Sequence, residues 1–504
     1  VMVMNQKFTV FKQVKWRNFS SGQGDDMVRK ISVLLLLMTA IAVCTFIPGP
    51  ASVSASATVP LWQKPAEKET TSKPNGATHK KREFVFGDGD VYWSQQISGK
   101  KNAKPYVITV PIQGNSQNMM FRYRAYNESK QPFWQAVTLD QVKMLPLAAG
   151  FVETEGRYIW LGMPIVYVDK GRGTIEEHPE LALPIQVKQS ANGVVLEIRL
   201  PIKAGYMSEM WALESREPLV PWGEQAIDQI WLALDVTQNA KWLYDGYYYK
   251  SPSTYEPTSA NAYWRIPENY VLRSFLYTGG SRAARNMGYV MLKTSLLQQE
   301  PEGYWKTLPR SLWLSEDYGI PDGFYDTRFN TGAADLMLRG CVQYAEESFC
   351  QAAQKYGAYF QRHAASNHYV VNGIQSGWLV ADYASAKNPA AQTHVSLNHQ
   401  LAEINFLYSS YLQFGDPTDK DLADLMLAGV VNLGTRWLLA NGDLHYAYFP
   451  DGTFGRADYP YLTYNDLVET QRLYRLLHGT EEPTIARLTA SKLAWMQKNN
   501  VAYR

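Results

Sequence analysis

The chain has 504 residues, a mass of 57.2 kDa and 46% hydrophobic residues. This length exceeds what a single hydrophobic core usually holds, so we expect two or three domains. Because 49 basic residues balance 47 acidic ones, the net charge of +2 gives no general reason to expect nucleic acid or an anionic membrane as partner. The 33 Tyr and 15 Trp exceed what a core needs, and stacking on sugar rings is one use of such a surplus; packing inside helices is the other.

The first 57 residues have the pattern of an export signal. Residues 1–26 are polar and basic and predict an upstream extension before Met27. A basic start, the apolar run 31–47 and small residues up to Ala57 predict a signal peptide over 27–57, hence a secreted or extracytoplasmic protein. An uncleaved membrane anchor through the same apolar run is the alternative.

A charged stretch and a strand-rich region follow. Residues 58–82, rich in Lys, Glu, Thr and Pro, predict a disordered linker. From 83 to 240 apolar residues recur with a period of two, and Asn192-Gly193 is typical of a hairpin, so we expect an antiparallel β domain, either a sandwich or a barrel. Residues 241–266 are aromatic and irregular, and predict a connector.

From 267 to 504 the period changes to about 3.6 and the sequence repeats itself. Four similar helix starts follow one another at intervals of 61, 68 and 67 residues: Asn269, Asn330, Asn398 and Asn465. They predict an α/α toroid of about four helical hairpins, which makes the chain an α+β multidomain protein. Three long loops, 300–329, 366–396 and 439–464, each precede the first helix of a hairpin, so they should converge at one end.

The two cysteines outside the signal region lie on successive predicted helices. Cys341 and Cys350 are expected to be buried free thiols, with a disulfide between them as the alternative.

Motifs in the helical region have a characteristic order. They are Glu302-Gly303-Tyr304-Trp305, Asp322 to Ala334, Val395-Ser396-Leu397-Asn398-His399-Gln400, and Arg456-Ala457-Asp458-Tyr459. Over roughly residues 267–500 this order and spacing resemble the C-terminal α/α-barrel of D-glucuronyl C5-epimerases. The chain departs from that family where it has His399 instead of Gly, and Pro460-Tyr461 instead of histidines. The resemblance implies an isomerase that inverts C5 of glucuronate residues in a polysaccharide.

Inverting a carbon next to a carboxylate requires a base, an acid on the opposite face and a cation for the carboxylate. The resemblance implies catalytic tyrosines at Tyr459 and Tyr446, and a carboxylate-tyrosine pair for which Asp382 and Tyr383 are the nearest candidates. Arg456 is the expected cation, and an adjacent arginine would lower the pKa of a tyrosine by favouring phenolate. For each of these residues a purely structural role is the alternative.

Further polar and aromatic side chains are candidates for binding sugar. They are Tyr325, Asp326, Arg328 and Asn398, with Asp322 beside them. His445 is the candidate base of a lyase. His394 and His399 are close enough in sequence to bind a metal together, but no third ligand is evident, so neither a metal nor a cofactor is predicted.

Three rival functions remain open at this point. A polysaccharide lyase would remove the same C5 hydrogen, and a glycoside hydrolase would need two carboxylates, for which Asp322, Asp326 and Asp382 are candidates. The third is a surface glycan-binding protein without activity. The predicted partner is a uronate-containing polysaccharide and not nucleic acid, with a membrane tether through 31–47 and a homodimer left open.

Overall fold

A computed structural model describes residues 62–234, 236 and 238–502. The predicted extension 1–26, the signal peptide 27–57 and the start of the predicted linker lie outside these residues. Within the described part of the chain, no helix is long and apolar enough to cross a membrane.

The first half of the described chain is built mainly of antiparallel strands. Up to the helical region the strands are β1 (Ala66–Ser72), β2 (Thr78–Val85), β3 (Val91–Ser98), β4 (Ala103–Gln113), β5 (Met120–Tyr126), β6 (Pro132–Thr138), β7 (Gly150–Thr154), β8 (Arg157–Leu161), β9 (Ile165–Gly171), β10 (Thr174–Glu177), β11 (Gln186–Ser190), β12 (Gly193–Ile202), β13 (Met207–Ser215), β14 (Ala240–Leu243), β15 (Gly246–Lys250), β16 (Tyr255–Glu256) and β17 (Ala262–Arg265). One helix, α1 (Gln225–Ala233), interrupts them.

Thirteen of these strands form one sheet. Its main path runs β14-β15-β17-β10-β9-β13-β8-β7-β5-β6, and β3, β2 and β1 continue from the other edge of β13. Strand β13 is therefore the branch point: β3 pairs along one edge, while β9 and β8 share the other.

A second sheet of three strands, β11-β12-β4, packs against the large one. Side chains of β12 alternate between buried and partly exposed, because successive residues of a strand point to opposite faces. Its buried residues Leu196, Ile198 and Leu200 share one core with Val152 and Ile159 of the large sheet. The predicted β domain is thus a sandwich. The predicted hairpin at Asn192-Gly193 is also confirmed, as the link between β11 and β12.

The polar stretch predicted as a disordered linker, 58–82, is instead a β-hairpin over most of its length. Strands β1 and β2 pair from Ala66↔Val85 to Ser72↔His79, and β2 continues the sheet onto β3. All residues of β1 are exposed. The prediction was wrong because an edge strand with charged side chains has the same composition as a disordered linker.

The predicted connector 241–266 also differs. Most of it forms β14, β15, β16 and β17, and three of these strands extend the large sheet beyond β10. The aromatic side chains Trp242, Tyr247, Tyr248, Tyr263 and Trp264 are buried there. The high density of Tyr and Trp therefore marks strands that are buried on both faces, because consecutive residues such as Tyr263 and Trp264 point to opposite sides of the sheet.

The second half of the described chain is helical, with short strands between the helices. The helices are α2 (Tyr270–Thr278), α3 (Arg282–Leu296), α4 (Leu312–Tyr318), α5 (Thr327–Tyr344), α6 (Glu347–Ser366), α7 (Leu397–Phe414), α8 (Pro417–Leu433), α9 (Leu462–His478) and α10 (Pro483–Lys498). The predicted hairpins are the pairs α2/α3, α5/α6, α7/α8 and α9/α10. Helices α2, α5, α7 and α9 contact one another in that order, so the first helices of the hairpins form an inner layer.

The helix starts were predicted to within about one turn. The Asn269 side chain accepts a hydrogen bond from the backbone N–H of Leu272 at 2.9 Å, so it caps α2 as expected. The other three asparagines lie inside their helices. Asn330 lies one turn into α5, whose N-cap is Asp326, and its side chain bonds the backbone of Trp305.

Cys341 of α5 and Cys350 of α6 form a disulfide, which corrects the prediction of two free thiols. The tight turn between the two helices brings their Cα atoms to 4.8 Å, within the range that a disulfide spans. We had assumed that successive helices hold the two thiols apart, and the short turn removes that separation.

The three long loops meet at one end of the helical layer, as predicted. Short strands connect them in sequence: β18 (Arg310–Ser311), β19 (Tyr325–Asp326), β20 (His368–Val371), β21 (Gly377–Val380), β22 (Tyr383–Ala384), β23 (Val395–Ser396), β24 (His445–Tyr448) and β25 (Phe454–Ala457). The pair β19–β22 joins the first long loop to the second, and β23–β24 joins the second to the third. The pair β16–β18 joins the first long loop to the segment that follows β15. We call this end of the domain the loop end.

Candidate functional site

Asp382 is the buried centre of the loop end. It lies between β21 and β22, where its backbone N–H donates to His394 O at 3.0 Å and its carbonyl accepts from the N–H of Thr327 at 3.0 Å. One of these bonds lies within the loop of Asp382 and the other reaches the first long loop, and together they hold the Asp382 backbone in place. Its carboxylate accepts from the backbone N–H of Ser396 at 2.8 Å and from the Ser396 hydroxyl.

One chain of hydroxyl groups leads outward from Asp382 through Ser396. The Tyr446 side chain lies close enough to the Ser396 hydroxyl and to the hydroxyl of Tyr459 for both to influence its pKa. The rings of Tyr446 and Tyr459 meet edge to face, with centroids 5.5 Å apart. Tyr446 is buried and Tyr459 is half-buried, so this chain runs from the buried carboxylate towards solvent.

A second chain leads outward through His394. Its Nε2 lies 3.4 Å from a carboxylate oxygen of Asp382, near enough for electrostatic interaction but not aligned as a hydrogen bond. Its Nδ1 is 2.8 Å from the hydroxyl of Tyr318, the last residue of α4. Tyr318 is half-buried, so two tyrosine hydroxyls that reach towards solvent connect to one carboxylate. We call these residues the Asp382 network: Asp382, Ser396, Tyr446, Tyr459, His394 and Tyr318.

Burial controls the protonation of this network. It raises the pKa of Asp382 well above the usual range of a carboxyl, because a charge in the interior loses its hydration. It lowers the pKa of His394 to about 3, with the positive charge of Arg456 adding to the effect. The imidazole is therefore neutral at ordinary pH, with a proton on one ring nitrogen and a weakly basic acceptor at the other, while burial makes Asp382 easier to protonate.

The two predicted catalytic tyrosines do not have the lowered pKa that we expected. Burial raises the pKa of both Tyr446 and Tyr459 above the usual value of a phenol. Arg456 contacts neither hydroxyl: its guanidinium pairs with Asp317 at 3.2 Å and lies over the ring of Trp313. The guanidinium is 49% exposed, so it remains accessible to a ligand.

Arg456 nevertheless acts on another tyrosine. Its charge lowers the pKa of Tyr318 and opposes the larger effect of burial, which raises it. The expected influence of Arg456 on a tyrosine is therefore found at Tyr318 and not at Tyr459.

A buried lysine fixes the backbone that carries Tyr459. Lys492 of α10 is fully buried and pairs with Asp443 and, at 2.9 Å, with Asp458. Its ammonium also donates to the carbonyl of Tyr459 at 2.6 Å. Because Asp458 and Tyr459 are adjacent, this ion cluster fixes the position of the Tyr459 backbone. Asp458 thus pairs with Lys492, whereas the nearby Arg456 pairs with Asp317.

The remaining predicted residues divide between the network and the protein interior. Tyr383 lies against His394 and His399, with ring centroids 5.7 and 5.6 Å away. Its neighbour across the β19–β22 pair is Asp326, which caps α5 and whose pKa burial raises to about 7. Tyr325 does not reach the network, because its hydroxyl bonds that of Tyr356 in the helical core.

Neither Arg328 nor Asn398 belongs to the Asp382 network. Arg328 donates to the carbonyl of Asn398 and to Asp466, both within 2.8 Å. It lines a cleft of about 660 Å³ between α2, α5, α7 and α9, together with Arg273, Arg339 and Arg472. Each of these arginines has a carboxylate partner: Glu268 and Asp335 for Arg273, Asp335 for Arg339, Asp466 for Arg328 and Glu469 for Arg472. The cleft is thus polar, but carboxylates within it balance the charges of its arginines.

The other candidates have partners of their own. Asp322 lies between Arg172 and Lys387, which lower the pKa of its carboxyl. The ring of His445 packs beside Phe454. His399 Nδ1 is 2.8 Å from the Thr327 hydroxyl, and the described residues include no cluster of ligands that could hold a metal ion.

Sequence reasoning missed Tyr318, Ser396 and Lys492. Tyr318 lies in a loop for which no helix was predicted. Lys492 lies in a helix with an amphipathic pattern, and nothing in the local sequence distinguishes it from a surface lysine. The one available signal was at Ser396, a good N-cap residue directly before α7.

The sequence matches no protein-family model, and no curated protein matches it. Solved structures with similar folds include cellobiose 2-epimerase from Spirochaeta thermophila, with 16% identity over 45% of this chain and 56% of that chain and a TM-score of 0.35. A D-mannose isomerase has 13% identity over 45% and 59%, with a TM-score of 0.34. A family 76 glycoside hydrolase from a bovine Bacteroides thetaiotaomicron strain has 10% identity over 86% and 78%, with a TM-score of 0.35. The chain thus spans just over half the length of the first two proteins. At this level of similarity, the function has to be argued from the residues of the chain itself.

Proposed function

We propose that this protein is a carbohydrate-active enzyme that inverts C5 of uronate residues in a polysaccharide. The observation that carries the proposal is the Asp382 network, in which two separate series of neighbouring polar groups lead from one buried carboxylate to the hydroxyls of Tyr459 and Tyr318. An epimerase needs two proton-transferring groups, one for each face of the carbon. The motifs that resemble D-glucuronyl C5-epimerases add support, because Tyr459 belongs to one of them.

The chemistry follows from the protonation states. Tyr318 takes the C5 proton while its own proton passes to Nδ1 of neutral His394, and the electron pair of the broken C–H bond enters an enediolate. Tyr459 then gives its proton to the opposite face and forms the new C–H bond. Asp382 takes up the proton that leaves His394 Nε2. After the reaction Tyr318 releases the proton taken from C5 to solvent, and the relay reverses: Nδ1 returns its proton to Tyr318 and Asp382 returns its proton to Nε2. The phenolate of Tyr459 regains a proton from solvent, so one proton leaves and one enters in each cycle.

Arg456 is the group proposed to bind the substrate carboxylate. Its accessible guanidinium forms only an exposed pair with Asp317, and such pairs contribute little to stability, so a carboxylate can replace it at low cost. A bound cation also stabilises the enediolate, whose negative charge develops on the carboxylate oxygens.

The test is incubation with heparosan-type and other uronans in deuterated water. Deuterium at C5 of an uncleaved polymer, and a change in the ratio of C5 epimers, are the expected results. An unsaturated product that absorbs in the ultraviolet would instead identify a lyase, and new reducing ends without unsaturation a hydrolase. Binding without exchange on any uronan would indicate a glycan-binding protein.

A further inference from the structure

Glu403 is a buried acid that the proposed proton transfer does not use. It lies in α7, one helical turn after His399, and it is 1% exposed. Among the residues that the structure describes, neither of its carboxyl oxygens has a hydrogen-bond partner of good geometry. Because a buried polar group without a partner costs free energy, stability does not explain the presence of an acid at this position.

One hydroxyl group lies between Glu403 and the Asp382 network. The Thr327 side chain is close enough to Glu403 to influence the pKa of its carboxyl. Thr327 Oγ1 lies 2.8 Å from His399 Nδ1, and the same nitrogen lies 3.7 Å from a carboxyl oxygen of Asp382. The backbone N–H of Thr327 also donates to the carbonyl of Asp382 at 3.0 Å, which holds the two residues together. A series of polar groups therefore leads from Glu403 through Thr327 and His399 to Asp382.

Three carboxyl groups share this part of the interior. They belong to Asp326, Asp382 and Glu403, each of which is at most 3% exposed. Burial raises the pKa of Glu403 well above its usual value, and negative charge on the other two would raise it further. Arg328 opposes this effect, but its guanidinium pairs with Asp466 at 2.8 Å. Glu403 is therefore a neutral carboxylic acid at ordinary pH and has one hydrogen bond to donate.

A neutral acid and a carboxylate would turn the Thr327 hydroxyl in opposite directions. Burial lowers the pKa of His399 well below its usual value, so the imidazole is neutral and carries one proton on one of its two nitrogens. If Glu403 donates to the Thr327 oxygen, the Thr327 hydroxyl donates to His399 Nδ1, and the imidazole proton lies on Nε2. If Glu403 were an acceptor for Thr327, Nδ1 would carry the proton and donate to the Thr327 oxygen.

We propose that Glu403 is a positioning residue, whose neutral carboxyl group donates to Thr327 and thereby holds His399 in the tautomer with its proton on Nε2. The unprotonated Nδ1 then lies 3.7 Å from Asp382, where it favours a proton on that carboxyl over a negative charge. Glu403 thus makes Asp382 a better acceptor for the proton that leaves His394. The inference deepens the proposed function and rests on it for the role of Asp382, whereas the His399 tautomer is a property of the resting protein.

The experiment is ¹⁵N NMR of the full protein labelled at histidine, because protonated and unprotonated ring nitrogens differ in chemical shift. His399 of the wild type should have its proton on Nε2, and the signals that His399→Gln lacks identify it. Glu403→Gln should keep this tautomer, since a carboxamide N–H also donates. Glu403→Met removes the donor and should shift the tautomer ratio about 5-fold towards Nδ1–H. His363, whose Nε2 lies 3.0 Å from the carbonyl of Ala381, is the internal control and should not change.

A matched variant and a second readout complete the test. Asp419→Asn changes another buried carboxyl group, which accepts from Gln361 at 2.8 Å, and should leave the His399 tautomer as in the wild type. In a protein that exchanges the C5 hydrogen, Glu403→Met should lower the exchange rate at least about 10-fold, and Glu403→Gln should preserve it.

Three results would overturn the inference: a wild-type His399 proton on Nδ1, an unchanged tautomer ratio in Glu403→Met, or a ratio in Glu403→Gln that matches Glu403→Met. An exchange rate that Glu403→Met leaves unchanged would do the same. The NMR readout needs no turnover, so the expected tautomers in a protein that exchanges no C5 hydrogen would contradict only the proposed function.

Discussion

At the scale of single residues, the loop end depends on groups whose charge state burial has changed. His394 is kept neutral and Asp382 is made easier to protonate, although the two side chains lie 3.4 Å apart. In an exposed pair the same residues would form imidazolium and carboxylate, which cannot relay a proton in the proposed direction. The desolvated environment is therefore part of the proposed mechanism.

Asp458 allows a prediction about pH. Burial raises the pKa of its carboxyl to about 6, against an ordinary value near 4 in the unfolded chain. Between these values the folded protein holds a proton that the unfolded chain has released, so the free energy of unfolding falls as pH rises. Asp458→Asn should remove this pH-dependent contribution to the free energy of unfolding, roughly 1–3 kcal/mol. The free energy of unfolding of the variant should therefore fall less steeply between pH 4 and 7.

Urea unfolding at several pH values measures the effect. Asp421→Asn, at an exposed position on α8, is the matched control and should follow the wild-type profile. Parallel profiles for Asp458→Asn and wild type would show that the Lys492 cluster does not titrate as described.

At the scale of elements, the N-terminal hairpin contributes more than its sequence suggests. Trp62, just before β1, packs on Tyr344 of α5 with ring centroids 4.7 Å apart, and Lys64 pairs with Glu346 at 2.8 Å. The hairpin therefore connects the large sheet to the helical layer.

We expect removal of the N-terminal hairpin to lower the stability of the folded protein. A chain that begins at Glu83 should unfold at a clearly lower denaturant concentration than one that begins at Trp62, because it loses β1, most of β2 and the packing of Trp62. Trp62→Ala in the longer chain should account for about 2–4 kcal/mol of this loss. Circular dichroism in urea measures both, and equal midpoints for the two chains would restore the interpretation of 58–82 as a linker.

The elements also show what sequence can and cannot predict. Periods of 2 and 3.6 located the sandwich and the four helical hairpins, because one buried face imposes each period. Loop convergence followed from the repeat. The composition of 66–82 led to the wrong prediction, since a charged edge strand and a disordered linker have the same composition. Tyr318 was missed for another reason: its partner His394 is 76 residues away, and no local pattern encodes such a contact.

At the scale of the whole molecule, the β domain and the helical layer meet at the proposed site. Tyr255 of β16 reaches the tyrosines of the loop end, and Arg172 at the β9–β10 turn pairs with Asp322 of the first long loop. A polymer that extends from the loop end could therefore contact the β domain as well.

The most direct test of the central claim is stereospecific hydrogen exchange at C5 in deuterated water. Wild-type protein should exchange both epimers and interconvert them. Tyr318→Phe and Tyr459→Phe should each lower the rate of epimer interconversion at least about 100-fold. Each variant retains one proton-transferring group, so each should still exchange the C5 hydrogen of one epimer, and the two variants should differ in which epimer that is. Tyr158→Phe, a half-buried tyrosine of β8, should behave as wild type. Equal exchange of both epimers by either variant, or full interconversion without these hydroxyls, would contradict the account.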